Sequence, residues 1–176
     1  MKAKSNTFQD MIKPVIVLFS ICAVVAALLS YVNSITAPII DENIRIQAEK
    51  TRQEVLPGST SFTEIQCDHD ALDITGAYKE NSGLGYVLTS SHKGYDGPVV
   101  VTVGLDANGN IVGISADVST ETQGVGSKAG LPAYLDKYMG LSGNASQVDT
   151  IAGATYSSTA VKAGVNAVLA AFEKVK

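Results

Sequence analysis

The most uniform stretch of the chain is apolar: residues 14–40 carry no charged side chain, and within 15–29 only Ser20 interrupts the hydrophobic run. A helix rises 1.5 Å per residue, so about 20 apolar residues cross the hydrocarbon layer and this stretch is sufficient. It continues through Tyr31, Val32 and Asn33, beyond the roughly 7 to 15 residues at which the apolar region of a cleaved signal peptide ends. A retained anchor over 14–35 is therefore favoured over a removed leader. Lys2, Lys4 and Lys13 precede the span, while Asp41 and Glu42 follow it. Positive charge stays on the cytoplasmic side, so residues 1–13 are expected inside and residues 41–176 outside the cell inner or plasma membrane.

Past the span the period changes twice. Thr36, Ala37 and Pro38 read as a helix cap with proline in the first turn, and Ile40, Ile44, Ala48, Arg52 and Val55 recur at helical spacing, predicting a stalk helix over 36–58 that stops near Leu56, Pro57 and Gly58. From about Leu72 short β-branched and aromatic runs separated by glycine predict strands at 74–79, 84–90, 98–105 and 111–116. Asn108-Gly109 between the last two is a hairpin signal. A calcium loop needs its glycine at the sixth position, whereas here it stands at the fourth. Glu121 to Gly126 reads as a loop, 131–139 as a short helix closed by Gly140, 142–146 as a polar linker and 148–151 as a last short strand. The final segment, 157–175, sets Val161, Val165, Val168, Leu169 and Phe172 on one face of an amphipathic helix. Strands joined by hairpins and closed by a helix predict an α+β domain over 59–176, its antiparallel sheet packed against helices.

Composition narrows the function classes. With 45% hydrophobic residues and 16 glycines without a period, the 176-residue chain is expected to fold rather than remain disordered. Three lysines against Asp10 give +2 before the span, which leaves −6 of the net −4 for the exported part. An acidic exterior offers no footprint for nucleic acid. Cys22 falls in the span and Cys67 beyond it, with no CxxC pair, so any redox role needs a bound cofactor. His69 and His92 stand alone and read as surface histidines rather than metal ligands.

Candidate chemistry concentrates at the entry to the last helix, where Asp149 is followed by Gly153, Ala154, Thr155, Ser157 and Ser158. Unpaired backbone N–H groups and the positive end of the helix dipole make such a junction an anion site. Spacing alone favours the plainer account, a hydroxyl capping the helix with Gly153 in a turn.

Resemblance changes that balance. Asp149, then Gly153-Ala154-Thr155, then Ser158 resembles the flavinylation motif D-x-x-[ST]-G-A-[TS]-x-x-[ST] of FMN-binding domains, departing from it at Ala152 where a hydroxyl is usual. Gly94-Tyr95-Asp96-Gly97-Pro98-Val99 is similar to the family segment G-Y-x-G-P-[IV], and Gly109 to Ile114 to the strand after it. Glu121-Thr122-Gln123-Gly124-Val125-Gly126 is similar to E-T-P-G-L-G, with Gln123 for proline. In this order beneath one anchor, the motifs resemble the RnfG component of the Rnf electron-transport complex over the whole length from span to C-terminus.

The resemblance implies FMN joined by a phosphoester to the Thr155 hydroxyl, with Gly153, Ala154, Ser158, Glu121, Thr122 and Gly124 around it. It also implies Asp149 in the motif read by a flavin transferase, and other membrane subunits of an Rnf-type complex as partners. Such a complex couples ferredoxin oxidation and NAD reduction to ion movement; the chain would be one component of the translocase, without catalysis of its own. A tether would keep the cofactor from diffusing away outside the membrane. For Glu121 and Thr122 a solvated turn, with Gly124 at positive φ, is the alternative. The flavinylated C component of a sodium-pumping NADH:quinone reductase, a stand-alone flavinylated electron-transfer protein and a flavin-free anchored scaffold are the rival functions.

Overall fold

A computed structural model describes residues 7–66 and 73–175. Lys2, Lys4, Cys67 and His69 lie outside the described residues. The chain divides into two compact units, Met1–Gln47 and Ala48–Lys176.

Helix α1 (Thr7–Val55) runs unbroken through Pro14 and Pro38. The fresh helix start expected at 36–38 is therefore absent. A proline inside a helix removes one donor, and in a helix this long the turns on either side persist. Side chains of the first unit such as Phe19, Leu29 and Val32 are exposed. By length and composition this is a helix able to cross a membrane.

The second unit opens with the last two turns of α1 and continues into a five-stranded antiparallel meander. Its strands β1 (Phe62–Glu64), β2 (Ile74–Glu80), β3 (Gly85–Lys93), β4 (Pro98–Asp106) and β5 (Ile111–Asp117) lie in sequence order. Strand β1 is too short to show an alternating pattern and was not expected. At the β4–β5 turn, Asp106 Oδ1 accepts the N–H groups of Asn108 and Asn110 at 2.8 and 2.9 Å, and Gly109 takes φ +88°.

One face of the sheet carries the main core. Leu88, Val99, Val101, Val103, Leu105 and Ile111 pack there against Val161, Val165, Val168, Leu169 and Phe172 of α3 (Thr155–Val175), with the expected helix stripe fully buried. The opposite face meets the end of α1, where Val55, Leu56 and Val87 form a smaller cluster. Gly104 and Gly113 are register partners across β4 and β5, and a Cβ on either would strike the Val55 carbonyl. The absence of two side chains thus lets a helix end rest on the sheet backbone. Beside it, the Arg52 guanidinium lies over the Tyr78 ring at 4.2 Å.

Three other expectations change. The helix expected at 131–139 is a short α2 (Pro132–Leu135) followed by a 3-10 turn, Asp136–Tyr138. Residues 148–151 pair with no described strand; the Lys162 ammonium donates to the carbonyls of Ser146 and Val148 at 2.7 and 2.8 Å, tying this segment to α3 instead of the sheet. His92, expected at the surface, is partly buried: its side chain is 17% exposed, with Nδ1 3.6 Å from Asp73 Oδ2.

Candidate cofactor site

The site is organised around a buried carboxylate. Glu121 follows β5 in a loop, and its Oε1 accepts the N–H groups of Tyr95, Asp96 and Gly97 at 3.0, 3.1 and 3.3 Å. Its Oε2 accepts the Ser157 hydroxyl from the first turn of α3. One side chain therefore joins the β3–β4 connection to the start of the last helix. The glycines are explained by space: a Cβ on Gly94 would invade Glu121 Oε1 and approach Val99 to 2.8 Å, and one on Gly126 would come within 2.6 Å of Ser157 Oγ and 2.8 Å of Glu121 Oε2.

Burial pushes the Glu121 carboxyl up, but the hydroxyl of Ser157 and the N–H groups of Asp96, Gly97 and Tyr95 outweigh it and hold the group below the ordinary glutamate range. The carboxylate is thus a satisfied anion, its charge taken up by protein donors.

The second part of the site is the entry to α3. Ser158 is fully buried; its hydroxyl donates to the Ala154 carbonyl at 2.8 Å and accepts the Ile151 N–H at 3.0 Å, folding 151–154 back over the helix start. Gly153 makes the bend at φ +81°. Because α3 begins at Thr155, two residues earlier than expected, the threonine is itself in the first turn. Ala154 ahead of it has no side chain able to cap. Among the described residues no hydrogen bond is made by the N–H of Thr155, Tyr156 or Ser157. These donors and the helix dipole favour an anion.

Between the two parts lies a cleft of about 390 Å³, lined by Tyr95, by Glu121, Thr122, Val125 and Gly126, and by residues 153–157. Three segments far apart in the chain, each quoted above for its motif, meet on one cavity. Thr155 and Thr122 are exposed at it, and Gly153 and Ala154 lie against it.

Two residues implied by the resemblance are placed differently. Ser158 is behind the cleft, where its hydroxyl is consumed by the backbone. Gly124, at φ +77°, shapes the loop through its N–H to Ser127 Oγ at 2.8 Å and is not part of the lining. Asp149 is exposed outside the cleft, as is Ala152. Glu121 is no solvated turn residue, being 6% exposed. Ser157 was expected only as one of the hydroxyls at the helix entry; Tyr95 and Val125 stood inside the quoted motifs without a role of their own, and no signal marked Tyr156.

Every residue lining the cleft falls within a segment that matches a known family. Residues 94–170 match the FMN-binding domain family, and residues 1–55 match the RnfG N-terminal region. The chain is 31% identical over 180 residues to the G component of the Na(+)-translocating ferredoxin:NAD(+) oxidoreductase complex of Acetobacterium woodii, covering 86% of each chain. It is 28% identical to the G component of the ion-translocating oxidoreductase complex of Methanosarcina acetivorans, over 87% of this chain and 89% of that one. With the G component of the proton-translocating ferredoxin:NAD(+) oxidoreductase complex of Clostridium ljungdahlii it shares 23% identity over 82% of each.

Sheet, closing helix and cleft thus make an FMN-binding domain, carried behind a membrane-anchoring apolar helix. The chain belongs to the RnfG family, a component of ion-translocating oxidoreductase complexes.

Proposed function

We propose that this chain is the electron-relay component of an ion-translocating ferredoxin:NAD oxidoreductase complex, carrying FMN esterified to the Thr155 hydroxyl. The observation that carries this reading is the exposed Thr155 in the first turn of α3, beside three unpaired N–H groups, on the cleft where the three motifs meet.

The residues fit a phosphodiester. Gly153 leaves open space, since a Cβ there would meet nothing within 4 Å. The N–H groups of residues 155–157 supply donors, and the Glu121 carboxylate on the cleft stays ionised, with its oxygens occupied by donors of its own and so not competing for these. Ser158 and Glu121 position the acceptor from behind and from the side. When bound, FMN supplies a ring that takes up and releases electrons singly or in pairs.

Attachment would be the work of a flavin transferase using FAD. The Thr155 oxygen forms a bond to the FMN phosphorus, the pyrophosphate bond breaks, AMP departs and the hydroxyl proton is lost. Exposed Asp149 suits recognition from outside, and Lys162 fixes the carbonyls of Ser146 and Val148 just before it. With the N-terminus cytoplasmic, the domain faces away from the cytoplasm among the other membrane subunits of the complex.

Intact mass of the full chain, produced with and without the transferase, tests the reading. The native chain is expected to gain one FMN less one water, and Thr155→Ala to gain nothing while melting as before. A gain that survives Thr155→Ala sinks the assignment.

A further inference from the structure

Two tyrosine rings stand at the mouth of the cleft without an assigned role. Tyr95 is 69% exposed and Tyr156 71%, although both line the cavity. They come from separate elements, the β3–β4 connection and the first turn of α3, and meet with ring centroids 6.0 Å apart and planes tilted by 49°. Val125, 45% exposed, extends the same apolar lip.

Their backbones are held while their rings are open. The Tyr95 N–H is fixed on Glu121, and Tyr156 sits between Thr155 and Ser157, whose hydroxyl is fixed on the same carboxylate. Glu121 therefore ties together the two backbone segments that carry the rings. Preorganised aromatic faces left uncovered beside a cleft suit a planar, electron-poor partner, which stacks on electron-rich phenols with little loss of side-chain freedom.

We propose that Tyr95 and Tyr156 form the platform on which the isoalloxazine ring of FMN rests, with Val125 against its edge. The inference builds on attachment at Thr155, next in sequence to one of the two rings. Tyrosine beside a flavin quenches its fluorescence, and a stacked ring is shielded from solutes in the solvent.

The test uses the full-length flavinylated chain in detergent, with intact mass recorded for every sample. In Y95A and Y156A, flavin fluorescence and its quenching by iodide are each expected to rise by roughly fivefold, the change that loss of an aromatic pair makes in a stacked population. In Y95F and Y156F the phenyl ring still stacks, so iodide access is expected to stay low, an outcome that mere loosening of the fold does not give. If Y156A escapes flavinylation, Y95A provides the same readout away from the acceptor. Native protein that carries the flavin mass, with fluorescence and iodide access equal to those of free FMN and unchanged in the alanine variants, overturns the platform alone. Native protein that lacks the flavin mass overturns the attachment and the platform together.

Discussion

Glu80 and Glu121 are the same device used in two places. Both are buried, at 1% and 6% exposure, and both carboxylates hold backbone N–H groups and a serine hydroxyl. Glu80 at the end of β2 accepts the N–H and hydroxyl of Ser82 at 2.7 and 2.6 Å and the N–H of Leu84 at 3.2 Å, and the Thr60 N–H ahead of β1 also favours its charged form. Glu121 reaches donors 24 to 36 residues away and lies on the cleft. A buried carboxylate is therefore no mark of a functional site by itself. What separates the two is place: one steadies the turn after β2 away from the cleft, the other joins the two walls of a cavity.

The largest effect expected from this contrast is that of Glu121→Ala. It leaves the N–H groups of residues 95–97 and the Ser157 hydroxyl without an acceptor, at about 1–3 kcal/mol per buried group that water does not reach. Both walls of the cleft shift, so the flavin mass is expected to fall below detection while Thr155 remains. Glu80→Gln is the next in size. It loosens the 81–84 turn and lowers the melting temperature, yet native flavinylation is expected by intact mass. Loss of flavin in both variants to the same degree would erase the distinction, since general destabilisation would then account for each.

Sequence showed much of the frame and less of this mechanism. The strands expected at 74–79, 84–90, 98–105 and 111–116 fall on β2 to β5, legible because β-branched runs such as 98–105 alternate with Gly- and Asn-rich turns. Helix α3 was legible from its apolar stripe, but its first turn was not, because hydroxyls at 155, 157 and 158 read equally well as caps ahead of the helix and the fold-back depends on Ser158, four residues after Ala154. The run 148–151 looks like a strand by composition; a lysine side chain from α3 decides otherwise. At the site, resemblance pointed to Thr155 and Glu121, but the clamp itself was hidden. Its acceptor is one glutamate and most of its donors are main-chain N–H groups, which any sequence supplies. Gly94 and Gly126 were visible as motif letters, while their reason, room beside the Glu121 carboxylate, appears only in three dimensions.

Acid gives the smallest effect and the finest separation. Both glutamates titrate below their ordinary range, Glu80 chiefly through the Ser82 hydroxyl, Glu121 through donors that overcome its burial. A carboxyl whose folded value is depressed contributes stability that is complete above the unfolded value, about 4.3, and is lost as pH falls through the folded one. Melting of the full chain should thus be insensitive to these two groups near neutrality and decline below roughly pH 4. Glu80→Gln and Glu121→Gln should each flatten that decline, having no proton to take up. The difference lies in the cleft. Protonating Glu121 weakens what its oxygens hold, so in flavinylated protein iodide access should rise over the same acid range. That rise should persist in Glu80→Gln, whose cleft is intact at neutral pH. In Glu121→Gln it should be absent, the cleft being already loosened at pH 7. An acid-induced rise of native size in Glu121→Gln would mean that another group opens the cleft, and that the two carboxylates differ only in address.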